Sequence, residues 1–298
     1  MSDTMDTVTP TQGPRTATGT MSLEDTRALW ASSDPVALGM LADEVRRRRH
    51  GDRVTYVRVA RIDATRPELD APPPGAGELR VTGRPASVAE AAAFLRGVVR
   101  RAGGTPVTAF SLADLEQMSG GPQGLLATLR VLAEAGIAGI AEVPLDGLAD
   151  RRRALDALAG AGLPAVRFTV GRSPLDLPAW LHELRALQKA TGAMSVFAPL
   201  PRQVDSSAPT TGYADVKLVA LARLVLENVS SIQVDWSQYG PKLAQVALLF
   251  GADDIDGVSP VDDESEGRRR APLEEIRRNI LAAALRPVER DGRFAVRE

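Results

Sequence analysis

From about residue 54 onward, apolar and polar positions fall into a repeating rhythm. A short apolar, often β-branched run is followed by a Gly- or Pro-bearing turn, then by apolar residues at three- and four-residue spacing. The short runs lie at 54–59, 79–81, 106–110, 139–143, 165–170, 194–199, 231–235 and 254–258. The helical spacing predicts helices over 88–101, 123–135, 152–161, 177–190, 214–228, 242–250 and 273–285, with a further helical region over 22–49. Strands that alternate with helices argue a parallel sheet, and eight of them in a chain of this size favour a closed barrel over an open doubly wound sheet. One unit breaks the rhythm. Between the first two strands the run 64–78 holds Pro67, Pro72, Pro73, Pro74, Gly75 and Gly77, which cannot propagate a helix.

The expected fold class is therefore α/β: a TIM-type (β/α)8 barrel lacking the first crossover helix, with an N-terminal helical extension. The expected organisation is a disordered tail over 1–21, the extension over 22–50 and the barrel over 51–298. The tail is rich in Thr, Ser, Gly and Pro without an apolar segment, unlike a signal peptide. Loss of the first crossover helix is expected to bare apolar faces of the first two strands, with the N-terminal extension or a second subunit as cover.

Charge narrows the function classes. Lys and Arg total 36 against 38 Asp and Glu, so the formal net charge of -2 offers no general attraction for nucleic acid or an anionic membrane surface. No run approaches about 18 consecutive apolar residues, and a cytoplasmic protein is the expectation. The run Arg46 to Arg49 reads as a solvated helix end facing the negative pole of the helix dipole, since no aromatic platform accompanies it. His50 and His182 are the sole histidines, which rules out a zinc triad or a Ser-His-Asp arrangement. The stretch 119–124 (SGGPQG) lacks the lysine of a phosphate loop and reads as a turn between helices.

The segment 231–257, SIQVDWSQYGPKLAQVALLFGADDIDG, resembles the C-terminal signature of one group of radical S-adenosylmethionine enzymes. That group comprises aminofutalosine synthase, dehypoxanthine futalosine cyclase and the deazaflavin-cofactor synthases. VTYV at 54–57, TAFS at 108–111, LAEAGIAGIAE at 132–142, LRALQKATGAMSVFAPL at 184–200, LARLVLENV at 221–229 and PVERD at 287–291 agree in order. The resemblance implies a barrel whose first strand leads into a C-x-x-x-C-x-x-C loop holding a four-iron cluster. Here that strand leads into Ile62, Asp63, Ala64, Thr65, Arg66 and Pro67, and the 298 residues contain no cysteine. The ribose-contacting carboxylate of the family's fifth strand is replaced within Gly171, Arg172, Ser173 and Pro174. In the signature the usual Asn is Asp253, and the glutamate-rich end reads Val261, Asp262, Asp263, Glu264. No cofactor and no metal are expected.

Gly240, Ala244, Gln245, Leu248 and Gly251 read as packing residues. Glu142, Asp235, Asp253 and Asp254 are expected at the C-terminal ends of strands, the face that carries active sites in such barrels, and are the candidate catalytic residues. The candidate ligand-binding set is Tyr56, Arg58, Glu142, Arg172, Asp235, Trp236 and Asp254. The leading functional expectation is a cluster-free partner or regulator of a paralogous radical enzyme, linked by resemblance to futalosine-dependent menaquinone biosynthesis. A non-radical lyase, isomerase or hydrolase using mouth carboxylates on a futalosine-like or aromatic acid substrate is the alternative. A small-molecule sensor is the third. The partners to match are a second copy of the chain or the paralogue, with a small molecule at the barrel mouth.

Overall fold

The computed structural model describes residues 20–66, 71–203, 211–261 and 272–297. Most of the expected tail, Pro67 and the acidic run Asp262, Asp263, Glu264 lie outside the described residues. The strands are β1 (Arg53–Asp63), β2 (Glu78–Thr82), β3 (Val107–Ser111), β4 (Gly139–Pro144), β5 (Phe168–Thr169), β6 (Val196–Phe197), β7 (Ser231–Asp235), β8 (Asp254–Val258) and β9 (Arg286–Glu289). β1 to β8 run parallel and close into a barrel through the β1–β2 pairing. The helices are α1 (Leu23–Ala31), α2 (Pro35–His50), α3 (Val88–Arg101), α4 (Leu112–Met118), α5 (Leu125–Glu134), α6 (Arg151–Ala161), α7 (Leu177–Thr191), α8 (Gly212–Val225), α9 (Trp236–Leu248) and α10 (Pro272–Ala282). The expected TIM-type barrel and its N-terminal helices are present, and among the described residues no helix joins β1 to β2.

Local chemistry sets the helix starts. Ser87, Asp150, Asp176 and Thr211 each accept a hydrogen bond from the backbone three residues on, satisfying a first-turn donor that the helix leaves unpaired. The stretch 119–124 is the expected turn, joining α4 to α5. Gly240, at φ 76°, precedes Pro241 and kinks α9, so a first turn from Trp236, capped by Asp235, precedes the stretch expected from 242.

β1 is eleven residues long and serves two neighbours on one edge. β9 pairs with Arg53 to Tyr56 and β2 with Val59 to Asp63. This arrangement corrects the expectation that the N-terminal extension covers the helix-free side. α1 packs on α7 and α8, and α2 packs on α8. On the outer side of β1, Val54, Tyr56 and Ala60 join the apolar core, and C-terminal elements meet the polar groups there: the Tyr56 hydroxyl meets Glu289 of β9 and Arg277 of α10, while Arg58 and Arg297 both bind Glu289. The arginine run also differs from a wholly solvated end. Arg46 is fully buried on Asp43 and the Gly51 carbonyl, and Arg49 donates to the Val229 and Glu227 carbonyls.

The apolar core lies between the strands and the helical layer. Leu79, Val81, Val107, Ala109, Ile232, Val234 and Ile255 join one cluster with Leu95, Leu129, Val219 and Leu248. The alternate strand positions, Glu78, Arg80, Thr108, Gln233, Asp235, Asp254 and Asp256, bond to one another or, for Asp235, to Arg202 of the loop after β6. Period-two alternation thus places polar and charged groups inside the barrel.

Candidate functional site

At the level of Glu78, Thr108 donates to Glu78 at 2.5 Å and Arg80 grips both Glu78 oxygens at 2.7 and 2.8 Å. The same guanidinium reaches across the barrel to both Asp256 oxygens at 2.8 Å. Asp256 accepts from Arg167, which also donates to Glu142 at 3.2 Å. The Thr169 hydroxyl steadies Glu142 at 2.7 Å, and Arg202 Nε stands 3.8 Å from the same carboxylate. Arg202 Nη1 donates to Asp235 at 2.7 Å and to Gln238 at 2.8 Å, and Arg61 closes the series 3.9 Å from Asp235. Glu78, Arg80, Asp256, Arg167, Glu142, Arg202, Asp235 and Arg61 therefore alternate in sign from the interior to the mouth. Side-chain exposure is 0% at Glu78 and Asp256, 25% at Glu142 and 53% at Arg61, while Arg202 and Asp235 between them stay at 17% and 3%.

Electrostatics follow from this pairing. Burial by itself would raise the Glu78, Glu142 and Asp235 carboxyl pKa values, but the guanidinium beside each outweighs it and holds all three below the ordinary carboxylate range. Burial, with Arg80 and Arg202 nearby, pushes Arg167 down to about 9, still charged at neutral pH. Carboxylates held ionised in this way are poor proton donors, which weakens the expectation of general acid and base chemistry.

Asp235 is also the N-cap of α9, accepting from Gln238 N at 3.1 Å and from the Ser237 hydroxyl at 2.7 Å. Gly257, at φ 71°, permits this: a Cβ there would stand 2.7 Å from the Asp235 carboxylate.

The expected site residues separate into four places. Glu142 and Asp235 come together at the mouth through Arg202, and buried Trp236 follows as the first residue of α9. Arg172 is exposed on the β5–α7 loop, where it and Gly171 donate backbone N–H groups to Asp146, and its Nε meets Gln203. Tyr56 and Arg58 lie outside the barrel with β9 and α10. Asp253 and Asp254 correct the expected strand-end placement, because β8 begins at Asp254 and both residues sit at its N-terminal end, on the face opposite the mouth. Asp254 accepts from Arg290 Nε and Nη2, each at 2.7 Å, from Thr55 at 2.5 Å and from Gln233 at 2.7 Å. Asp253 is held by Arg223, Ser231 and Ile232 N, with His50 3.5 Å away. His182 sits elsewhere, bonded to Thr26 and Arg185. Glu78, Arg80, Arg167, Arg202 and Asp256 escaped the sequence reading. Their signal was charge at alternate strand positions, as in Glu78 and Arg80 or Asp254 and Asp256.

The thiolate-bound cluster implied by the resemblance does not fit this chain. It has no cysteine, β1 runs into Asp63, Ala64, Thr65 and Arg66, and among the described residues no three His, Asp or Glu side chains form a metal-holding group. Residues 199–298 match the CofH/MqnC C-terminal region family. The chain is a cysteine-free relative of the radical S-adenosylmethionine enzymes of that group. The aminodeoxyfutalosine synthase of Streptomyces coelicolor is 32% identical over 134 residues, which cover 38% of this chain and 35% of that enzyme. The Thermus thermophilus enzyme of the same name is 34% identical over 129 residues, covering 38% and 34%. The 5-amino-6-(D-ribitylamino)uracil–L-tyrosine 4-hydroxyphenyl transferase of Methanosphaerula palustris is 39% identical over 93 residues, covering 28% and 26%. The matches thus span about a third of these curated relatives or less. Methylornithine synthase shares the fold over 91% of this chain and 95% of its own, with a TM-score of 0.65 at 14% identity. Among the described residues no helix is long and apolar enough to cross a membrane.

Proposed function

We propose that this relative acts as a non-radical partner or regulator of a cysteine-bearing paralogue in futalosine-dependent menaquinone biosynthesis. The observation that carries the reading is the alternating charge series: the barrel interior, where a ligand would enter, is occupied by Arg80, Arg167 and their carboxylates. Each buried ion in such a set costs several kcal/mol of desolvation that only its partners offset, so a substrate could not displace one partner cheaply. The pathway assignment rests on similarity to the aminodeoxyfutalosine synthases, and self-association is part of the same proposal.

A second reading, a small-molecule sensor at the mouth, is favoured by one observation. Arg202 Nε and Nη2, the edge by which Arg80 and Arg290 clasp carboxylates, make no hydrogen bond among the described residues.

The test is co-expression with a cysteine-bearing aminodeoxyfutalosine synthase from the same genome, followed by size-exclusion with light scattering and turnover assays. The partner reading expects co-elution and an altered paralogue rate, with no cleavage of S-adenosylmethionine by this chain alone. Independent migration with an unchanged paralogue rate would overturn it.

A further inference from the structure

A cleft of about 470 Å³ opens on the N-terminal face of the barrel, opposite the mouth. Its floor is apolar, formed by Ala138, Pro164, Ala165, Val166 and Val196 at the starts of β4, β5 and β6. Its roof is the C-terminal turn Gly292, Arg293 and Phe294.

Three features mark it as more than a packing gap. First, Phe294 is held at φ 63°, a left-handed backbone that costs a non-glycine residue about 1 kcal/mol or more. The turn that imposes it is fastened by Asp291, which accepts from Arg293 N and Ala295 N, while Arg290 lies 3.7 Å over the Phe294 ring. The strain presents an aromatic ring to the cleft. Second, Ser195 and Ser230 stand exposed on the rim, and among the described residues neither hydroxyl has a hydrogen-bond partner. Third, the Arg293 side chain is exposed, and among the described residues its guanidinium meets no carboxylate.

We infer that this cleft binds a small-molecule monocarboxylate with an apolar body of one or two rings. The volume lies within the range of ligand sites, and such sites pair a mostly apolar lining with a few polar groups that fix orientation. One guanidinium with two hydroxyls balances the single charge of a carboxylate, whereas a phosphate dianion would leave one charge unpaired. The apolar body lies against Phe294, Pro164 and Val166. The site is independent of the proposed partner role, since it uses no residue of the charge series.

The experiment is calorimetry on the full chain with 1-naphthoate, 1-naphthalenemethanol and acetate as probes. 1-Naphthoate is expected to bind with a sub-millimolar Kd, and acetate, lacking the apolar body, is expected not to bind. Replacing the carboxylate by the alcohol, or Arg293 by Gln, is expected to weaken binding about tenfold, as loss of a charge-assisted hydrogen bond does. Ser195→Phe fills the cleft from its exposed rim and is expected to abolish binding, and Ser230→Phe does the same should the first variant fold poorly. Absence of 1-naphthoate binding up to about 1 mM, equal affinity for the alcohol, or unchanged binding in a folded rim variant would each overturn the inference.

Discussion

Replacing Arg80 by Met removes the central cation of the barrel while keeping an unbranched chain of similar length. Arg80 is 1% exposed and donates four hydrogen bonds, two to Glu78 and two to Asp256. Asp256 retains Arg167, but among the described residues Glu78 retains only the Thr108 hydroxyl as a hydrogen-bond partner. Removing one partner of a buried ionic set typically costs about 3–5 kcal/mol, because the other charge stays buried without compensation. In a chain of this size about 2 °C of melting temperature accompanies each kcal/mol, so a loss of roughly 6–10 °C is expected near neutral pH.

The pH dependence carries the sharper test. In the native protein the folded Glu78 pKa is lowered, so its contribution is present above the unfolded value and is lost as pH falls through the folded one. In the variant, burial without its cation raises the folded pKa. Protonation then favours the fold, and that contribution is lost as pH rises. The gap between variant and native melting temperatures is therefore expected to narrow on moving from pH 8 to pH 5, measured by circular dichroism. A gap below about 2 °C, or one constant across that range, would refute the view that Arg80 neutralises buried carboxylates.

Asp254→Asn leaves Arg290, 1% exposed at its side chain, without a counter-ion and is expected to lower stability by about 3–5 kcal/mol in denaturant titration. Glu142→Gln is milder, about 1–2 kcal/mol, because Arg167 keeps Asp256; under the partner proposal it leaves the effect on the paralogue intact, as activity assays with the variant would report. Anaerobic treatment with iron and sulfide is expected to leave the protein colourless, since no thiolate is present, and a stoichiometric four-iron absorbance or EPR signal would contradict this.

The barrel was legible in the chain because hydrophobic periodicity is local: apolar runs punctuated by Gly and Pro mark strands and helices wherever they later pack. The triple proline likewise announced a missing helix without any knowledge of neighbours. β9 was not legible, because Arg286 to Glu289 is too short and mixed to read as a strand, and only the free lower edge of β1 makes it one. The misplaced carboxylates have a different cause. The apolar run read from the sequence, 254–258, already begins at Asp254 and follows a helix, so in a parallel barrel both Asp253 and Asp254 belong at the strand's N-terminal end, and their expected place at the mouth was inconsistent with those bounds. Once β8 starts at Asp254, both residues must face away from the mouth.

Sequence alone determined the alternation of elements, the absence of thiolate ligands and the kinship with the radical enzymes, since each is a property of residue types and their spacing. Tertiary structure alone decided that eight charges drawn from β1, β2, β4, β7, β8, the loop before β5 and the loop after β6 form one alternating series. Arg80 meets Asp256 across 176 positions of chain, and Arg167 meets the same carboxylate across 89. Pairing at that separation depends on the closure and register of the barrel, which bring the inward positions of distant strands to one axis and make each charge tolerable through its neighbours.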